Sequence, residues 1–412
     1  NLAMRIYTGA ADQMPDPLIE AIEGAGNVPA YRGIAYIVFE DLDLSPFGNR
    51  VPQFAAEVTR LPRVRHVAVP PTAPDSVRAV ALMPGTGEYA LATQTITFQA
   101  GFGATTVANI SAEGGGTDFT RSLNYLHESA SNTQSISLIY SWFGDDLRAG
   151  VCRVQPKVEN SDRDGAEMPW RAGGIGRAEA GVLAQIDGRP VYGGTPADDS
   201  VIQAIRAIHE SGQEVLFYPF LLMEILAGNG LSDPYGKPEQ AALPWRGRIT
   251  GDLAPDQPST PDKTAANATA VQTFFGTTKA TDFAVSPGAV AYFGPNEWSY
   301  SRFILHSAAL CAAAGGVEAF CIGSEMRGLT QMRDTNGFPA VAQFKTLAAE
   351  VRTLLPDAKL SYAADWSEYF GYHPQDGSND VYFHLDPLWA DRNIDFIGID
   401  NYMPLSDWRD DP

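Results

Sequence analysis

Acidic side chains stand at or near the ends of several predicted buried strands. Three of them follow or lie within apolar runs in the second half of the chain: Glu325, Asp365 and Asp400. Two carboxyl groups that flank a glycosidic bond can hydrolyse it, since one protonates the leaving oxygen while the other attacks the sugar carbon or activates a water. The pair should be about 5 Å apart in a retaining enzyme and about 6.5–9.5 Å apart in an inverting one. These acids are therefore candidate catalytic residues.

Other side chains could share this role or contact a sugar. Glu224 and the pair Asp145-Asp146 are alternative acids, although the pair could simply cap a turn. Three aromatic residues close to strand ends could stack on a sugar ring: Trp142, Trp366 and Tyr402. An aromatic side chain in such a place more often packs against the rim of a barrel. Glu325 could likewise be an idle carboxylate or pair with a neighbour such as Arg327.

Strands that alternate with helices must position these acids. The run Ser135 to Phe143 is apolar almost throughout, as in strands that are buried on both faces of a parallel sheet. Helical spacing over Asp199 to Glu210 and over Phe338 to Leu355 leads each time into another apolar run. About six strands, one of them near Pro190 to Tyr192, predict a parallel sheet with crossover helices. Acids at the strand ends favour a (β/α)8 or TIM barrel over an open sheet.

The first part of the chain has strand and turn signals but little helical periodicity. Three runs of β-branched or aromatic residues are bounded by turn residues: Ile34 to Phe39, Phe54 to Val58 and Thr93 to Phe98. Only Asp16 to Glu23 predicts a short helix there. The predicted fold class is therefore α/β plus β. A β-rich domain over residues 1–117 precedes a TIM-type barrel over residues 118–412, which we expect to end after about six strands.

The acidic composition limits the partners. The chain has 29 Lys and Arg against 49 Asp and Glu, a formal net charge of −20. Proteins that bind nucleic acid directly need a basic patch, so we expect no nucleic-acid partner and no special attraction to anionic glycans. Polar residues and glycines interrupt Phe303 to Gly323, which argues against a membrane span. No histidine pair has the spacing of metal ligands, and we expect neither a metal nor a cofactor.

Two strings resemble phage-derived tail proteins. Tyr31 to Val58 (YRGIAYIVFEDLDLSPFGNRVPQFAAEV) resembles a strand-and-turn segment of phage tail hub and tip proteins. Ser137 to Glu159 (SLIYSWFGDDLRAGVCRVQPKVE), followed by PWRAGG at Pro169 to Gly174, resembles the glycoside-hydrolase-like TIM barrel of the large baseplate protein, the megatron, of gene transfer agents. The resemblance implies a homotrimeric component at the tail tip of a virion-like particle, assembled in the bacterial cytoplasm and acting at the recipient cell surface. Other baseplate and tail proteins would be its partners, and cell-envelope glycan its contact.

A third string bears on catalysis. Phe320 to Leu329 (FCIGSEMRGL) resembles the fourth strand of the large clan of retaining glycosidases. This implies Glu325 as acid/base, with Ser324 in place of the usual Asn. Tyr402 resembles the tyrosine that follows strand six in this clan. The nucleophile of the clan follows strand seven, and we expect it beyond Pro412 if the chain is cut from a longer protein. An active hydrolase of envelope polysaccharide or peptidoglycan is thus the alternative to a structural tail protein, and sugar binding without turnover is a third.

The segment Ala227 to Asn296 is rich in Pro, Gly, Thr and Ala. Loops of this length are usually lids, interaction surfaces or disordered spans. It could cover a sugar cleft or, in a tail assembly, pack against a neighbouring subunit, and we favour the subunit contact.

Overall fold

A computed structural model describes residues 3–45, 73–99, 103–111 and 115–404. The chain divides into two compact units, Asn1–Val69 and Pro70–Pro412. In the first unit, strands Ala3–Tyr7 and Tyr36–Glu40 pair antiparallel, and helix Pro17–Glu23 lies between them in sequence. The predicted strand Phe54 to Val58 and the second half of the tail-hub-like string lie outside the described residues.

Buried Asp16 holds the first unit together. Its carboxylate accepts hydrogen bonds from the backbone N–H of Leu18 and of Ile19, at 2.9 and 3.1 Å, and so caps the helix. It also accepts from Arg5 Nε at 2.9 Å and from the Tyr7 hydroxyl at 2.6 Å. Because one side chain satisfies both the free N–H groups of the helix and two groups of the first strand, it fixes where helix and strand meet.

In the described part of the second unit, six parallel strands form one sheet and lie side by side in chain order. They are β1 (Ala79–Leu82), β2 (Ser135–Gly144), β3 (Glu214–Met223), β4 (Ala319–Ser324), β5 (Lys359–Asp365) and β6 (Gly398–Asp400). Val154–Gln155 adds antiparallel to the end of β2. Parallel neighbours in sequential order are the arrangement found in the wall of a TIM barrel.

The sheet is curled. The Tyr218 hydroxyl on β3 donates to Asp400 Oδ2 at the end of β6 over 2.5 Å, although β4 and β5 lie between these strands. In a flat sheet, strands separated in this way are about 14 Å apart, beyond the reach of side chains that stand perpendicular to it. The second unit is therefore a partial barrel with a concave inner face.

Helices Asp198–Glu210, Tyr300–Ala314 and Pro339–Leu354 pack on the convex face of the sheet. The other helices described in the second unit are Ala73–Ser76, Asp118–Ser129, Ala265–Phe275, Arg327–Thr330 and Asp386–Trp389. Along β3, Val215 and Phe217 are fully buried, whereas the alternating Leu216 and Tyr218 on the concave face are half-buried. Among the described helices, none combines the length and apolar character needed to cross a membrane.

One predicted strand belongs elsewhere, and another was missed. Arg189–Pro190 pairs with Gln185–Ile186 in a separate hairpin rather than joining the parallel sheet. The sheet instead contains β1, which falls within the β-rich region predicted over residues 1–117. The hairpin of Thr97–Gln99 and Thr105–Val107 also lies in the second unit, where Phe98 forms a bridge with Gly165. Strand β1 consists of only four residues, AVAL. An apolar run this short does not distinguish a buried strand from a buried helix segment.

The long segment Ala227 to Asn296 is folded. It contains helix Ala265–Phe275 and a hairpin of strands Phe283–Ser286 and Ala289–Tyr292. The segment also contains the 3-10 turns Arg246–Arg248 and Ala280–Asp282. Two further strand pairs complete the described part of this unit: Lys157–Val158 with Gly181–Val182, and Arg171–Ala172 with Ile175–Gly176.

We expect Phe303→Ala to lower the free energy of unfolding by about 3–5 kcal/mol. Phe303 is fully buried and its ring packs against Trp142 and Tyr140 of β2, so truncation leaves a cavity between helix and sheet. Urea denaturation measures the loss. Tyr125→Ala, at a side chain that is 71% exposed, is the control and should change stability by about 0.5 kcal/mol or less. Equal losses in both variants would contradict the assigned core.

Candidate active site

Glu325 follows β4 in a backbone conformation that is unusual for its residue type. Its φ is +51°, in the left-handed region, where a residue other than glycine is strained by about 1–2 kcal/mol. The register between β4 and β5 shifts at Cys321 to Ser324, and the Glu325 N–H donates to the carbonyl of Ala363 on β5 over 2.8 Å. The neighbouring strand thus holds Glu325 at the C-terminal end of the sheet.

The long segment supplies the partners of the Glu325 carboxylate. Trp245 Nε1 donates to its Oε2 at 2.8 Å, and Arg246 Nη2 lies 3.0 Å from the same oxygen. Arg246 also donates to the carbonyl and the hydroxyl of Ser324, at 2.9 and 3.0 Å, and its guanidinium lies 3.8 Å from the centre of the Phe220 ring. Glu325 is therefore a buried carboxylate with a buried cation beside it.

Asp400 is the second acid of this site. Burial raises its pKa to about 6, the hydrogen bond from Tyr218 opposes that rise, and the negative charge of Glu325 adds to it. Arg246 lowers the pKa in turn. Partial burial and the negative charge of Glu325 together favour the protonated form of Asp400.

Tyr402 lies near these two acids at the protein surface. Its ring is 69% exposed. The charge of Glu325 is the main cause that raises the pKa of its hydroxyl, followed by burial and by the charge of Asp400. Of the predicted site residues, the structure thus brings Glu325, Asp400 and Tyr402 together.

Asp365 and Trp366 lie at the end of the neighbouring strand β5. The Asp365 carboxylate accepts from the backbone N–H of Ser367 at 3.0 Å and also from the Ser367 hydroxyl, so it caps the turn Trp366–Glu368. Trp366 is half-buried in that turn. Asp365 is close enough to Tyr402 for its charge to raise the pKa of the tyrosine. Its carboxylate nevertheless has a structural role as a cap.

Trp142 lies away from the site, contrary to its predicted role in sugar binding. It is fully buried on the convex face, where its ring stacks on Phe303 at 5.2 Å and Nε1 donates to the Tyr140 hydroxyl at 2.8 Å. Nothing outside the core can stack on it. The sequence carried a signal that the prediction did not use, because Ser135, Ser137 and Ser141 alternate with the apolar residues of β2 and so place Trp142 on its apolar face.

The alternative acids are engaged in ion pairs elsewhere. Glu224 pairs with Lys157. Asp146 Oδ2 lies 2.7 Å from Arg148 Nη2, and Asp145 Oδ2 lies 2.9 Å from Arg153 Nη2. Within the described ranges, no group of three or more His, Cys, Asp or Glu residues could hold a metal ion.

A buried network of hydrogen bonds fixes the backbone that follows Glu325. The backbone N–H of the next residue, Met326, donates to the Tyr362 hydroxyl at 2.7 Å, and that hydroxyl donates to Glu368 Oε2 at 3.2 Å. Thr330 donates to the other oxygen of Glu368 at 2.6 Å. Burial raises the pKa of Glu368 to about 7, and burial lowers that of His384, 4.0 Å away, to about 4.

Three residues of the site were missed by sequence analysis: Tyr218, Trp245 and Arg246. Tyr218 lies in a continuous apolar strand without visible alternation, although a polar hydroxyl in such a strand is itself a signal. Trp245 and Arg246 lie in an irregular segment, where no periodicity relates sequence to position.

Comparison with known families supports the barrel assignment. Residues 298–412 match the family model of the GTA TIM-barrel-like domain. The matched region contains Glu325, Asp400 and Tyr402, whereas the baseplate-like string Ser137 to Glu159 precedes it. No curated protein matches the chain.

Solved structures that resemble the chain include GH113 β-1,4-mannanases. One has 14% identity and a TM-score of 0.32, and covers 61% of this chain. A second, a complex, has 15% identity and a TM-score of 0.36, and covers 70% of the chain. The β-mannanase AaManA from Alicyclobacillus acidocaldarius, in complex with ManMIm, has 14% identity and a TM-score of 0.33, and covers 71% of the chain. The aligned part spans only 50%, 58% and 55% of these structures, respectively.

The buried pair of Glu368 and His384 predicts a specific pH dependence of stability. Because folding raises the pKa of Glu368 from 4.5 to about 7, its stabilising contribution is complete below pH 4.5 and is lost as the pH rises through 7. His384 acts oppositely: folding lowers its pKa from 6.5 to about 4, so its contribution is lost as the pH falls through 4.

We expect Glu368→Gln to remove the contribution of Glu368 and to leave those of His384 and of the other titratable groups. The stability of the unmodified protein minus that of the variant should fall between pH 4.5 and pH 7, by on the order of 3 kcal/mol. Urea unfolding at stepped pH measures this difference. Glu128→Gln, at an exposed position, should give a difference that is flat with pH. A flat difference for Glu368→Gln as well would contradict a raised pKa.

Proposed function

We propose that this chain is part of a phage-like tail baseplate protein of a gene transfer agent particle. In this proposal it forms a homotrimer at the tail tip with other baseplate and tail proteins, and its partial barrel contacts cell-envelope glycan during DNA delivery. The observation that carries the proposal is the match of residues 298–412 to the GTA TIM-barrel-like domain. The two tail-protein-like strings in the rest of the chain add support.

The geometry of the site favours glycan contact over cleavage. A retaining pair needs its carboxyl groups about 5 Å apart, with one of them free to protonate the leaving oxygen. Here the Glu325 carboxylate accepts a hydrogen bond from Trp245 and is paired with Arg246, so two partners already engage it. Carboxylates held by such partners can accept hydrogen bonds from sugar hydroxyls, and the exposed rings of Tyr402 and Trp245 provide apolar surface beside them.

The second candidate function is hydrolysis of envelope polysaccharide or peptidoglycan with Glu325 as acid/base. The observation that favours it is the raised pKa of Asp400 beside Glu325, because catalytic carboxyl pairs differ in proton affinity through their surroundings.

The structural proposal is tested on purified particles. In a strain with the intact gene, we expect mass spectrometry to detect the protein in particles and immunogold labelling to place it at the tail tip. Deletion of the gene should abolish DNA delivery, whereas Glu325→Gln should leave particle assembly unchanged. A protein that is absent from particles and monomeric in solution would overturn the proposal.

The hydrolase candidate is tested by sugar release from purified envelope polysaccharide and peptidoglycan. If the barrel is catalytic, Glu325→Gln should lower the rate by about 100-fold or more, because general acid catalysis contributes at least that much. Glu128→Gln is the matched control and should retain the full rate. Absence of sugar release, or equal release by Glu325→Gln, would exclude hydrolysis through Glu325 and leave glycan contact as the function to test.

A further inference from the structure

A groove beside the paired acids is lined by two arginines. Arg248 and Arg327 lie in the wall of a cavity of about 200 Å³, together with Tyr235 and Trp245. Arg327 also lines an adjoining cavity of about 360 Å³ that extends past Ser367 towards the loop at 370–375. Arg327 and Gln331 line both cavities, which lie at the rim near the ends of β4 and β5 and which we together call the arginine groove.

Trp245 connects the arginine groove to the acids. Its ring lies against Gly247, where an added Cβ would come within 2.4 Å of the ring atoms. The Nε1 on this same edge of the indole donates to Glu325 at 2.8 Å, and the side chain remains 37% exposed. A flat aromatic surface between a carboxylate and a cationic groove is suited to a sugar ring, whose apolar face stacks while its substituents reach polar groups on both sides.

The charges of the arginine groove are not neutralised internally. In the part of the chain that the structure describes, neither Arg248 nor Arg327 forms an ion pair, whereas nearby Arg246 is paired with Glu325. The Arg248 guanidinium lies over the Tyr235 ring, 4.0 Å from its centre, which fixes its position without neutralising it.

Two acids also face this region. Asp256 is exposed in the wall of the larger cavity, and Asp233 is buried, with its carboxylate accepting from the backbone N–H of Lys237 at 3.0 Å. Of these two acids, only Asp256 is exposed and can offset the positive charge of the two guanidinium groups.

We propose that the arginine groove binds a carboxylate-bearing sugar unit, next to the unit that occupies the Glu325 and Asp400 site. The sugar would stack on Trp245, and its carboxylate would lie between Arg248 and Arg327, whose planar guanidinium groups match a carboxylate in geometry. This inference rests on the proposed glycan contact and adds the substrate class. It also explains how a chain of net charge −20 can bind an anionic glycan, because the charge at the groove is positive although that of the whole chain is negative.

The test is calorimetric titration of the intact gene product with Glu325 unchanged, because that carboxylate belongs to the proposed sugar site. The probes are galacturonate tetrasaccharide and its carboxyl-reduced, neutral counterpart. A second arm compares a tetrasaccharide of alternating N-acetylglucosamine and N-acetylmuramic acid with chitotetraose, and so distinguishes a uronate from a lactyl carboxylate as the acidic group. We expect at least one acidic probe to bind about tenfold or more tightly than its neutral partner, and that preference to weaken with added salt.

Substitution assigns the preference to the groove. Arg248→Gln with Arg327→Gln should abolish the preference for the acidic probe while leaving binding of the neutral probe unchanged. Arg121→Gln, an exposed arginine on helix Asp118–Ser129, should leave it intact. Circular dichroism confirms that each variant is folded.

The outcomes separate this inference from the proposed function. Equal binding of acidic and neutral probes, or a preference that survives both groove substitutions, would overturn the arginine groove as a carboxylate site and leave glycan contact standing. Failure of all four probes to bind would overturn both.

Discussion

The buried guanidinium of Arg246 is the interaction around which the candidate site is organised. It packs on Phe220 of β3, donates to Ser324 at the end of β4, pairs with Glu325, and lowers the pKa of Asp400 on β6. A buried carboxylate without a partner would be strongly destabilising, and two beside each other more so. One cation from an irregular segment therefore permits both acids to remain at the same end of the sheet.

Curvature of the sheet is what brings those acids together. The hydrogen bond from Tyr218 to Asp400 spans two intervening strands, which only a curled sheet allows. The strain at Glu325 is balanced by backbone bonding to β5 and by the buried network that runs from Met326 through Tyr362 to Glu368. Packing of the sheet, rather than local preference, thus sets the direction in which the Glu325 carboxylate points.

Several elements were predictable from local pattern. The helix expected over Phe338 to Leu355 is observed at Pro339–Leu354, and β2 ends within one residue of the predicted strand. Strand β1 was missed, because its run of four apolar residues fits a buried strand and a buried helix segment equally well. Arg246 was missed for a different reason: it follows no strand and belongs to a segment with no periodicity at all.

The sequence by itself determined the alternation of strands and helices and the positions of acids at strand ends. Apolar residues recur in the sequence with the period of the buried face, which differs between strands and helices. It also determined the acidic balance of the whole protein. Only the tertiary structure decided that Glu325 meets Asp400 and Arg246, and that Tyr218 points into the concave face. The physical reason is that β3 is apolar on both faces and carries no alternation to mark its inner side, and contacts between distant segments depend on how the sheet curls.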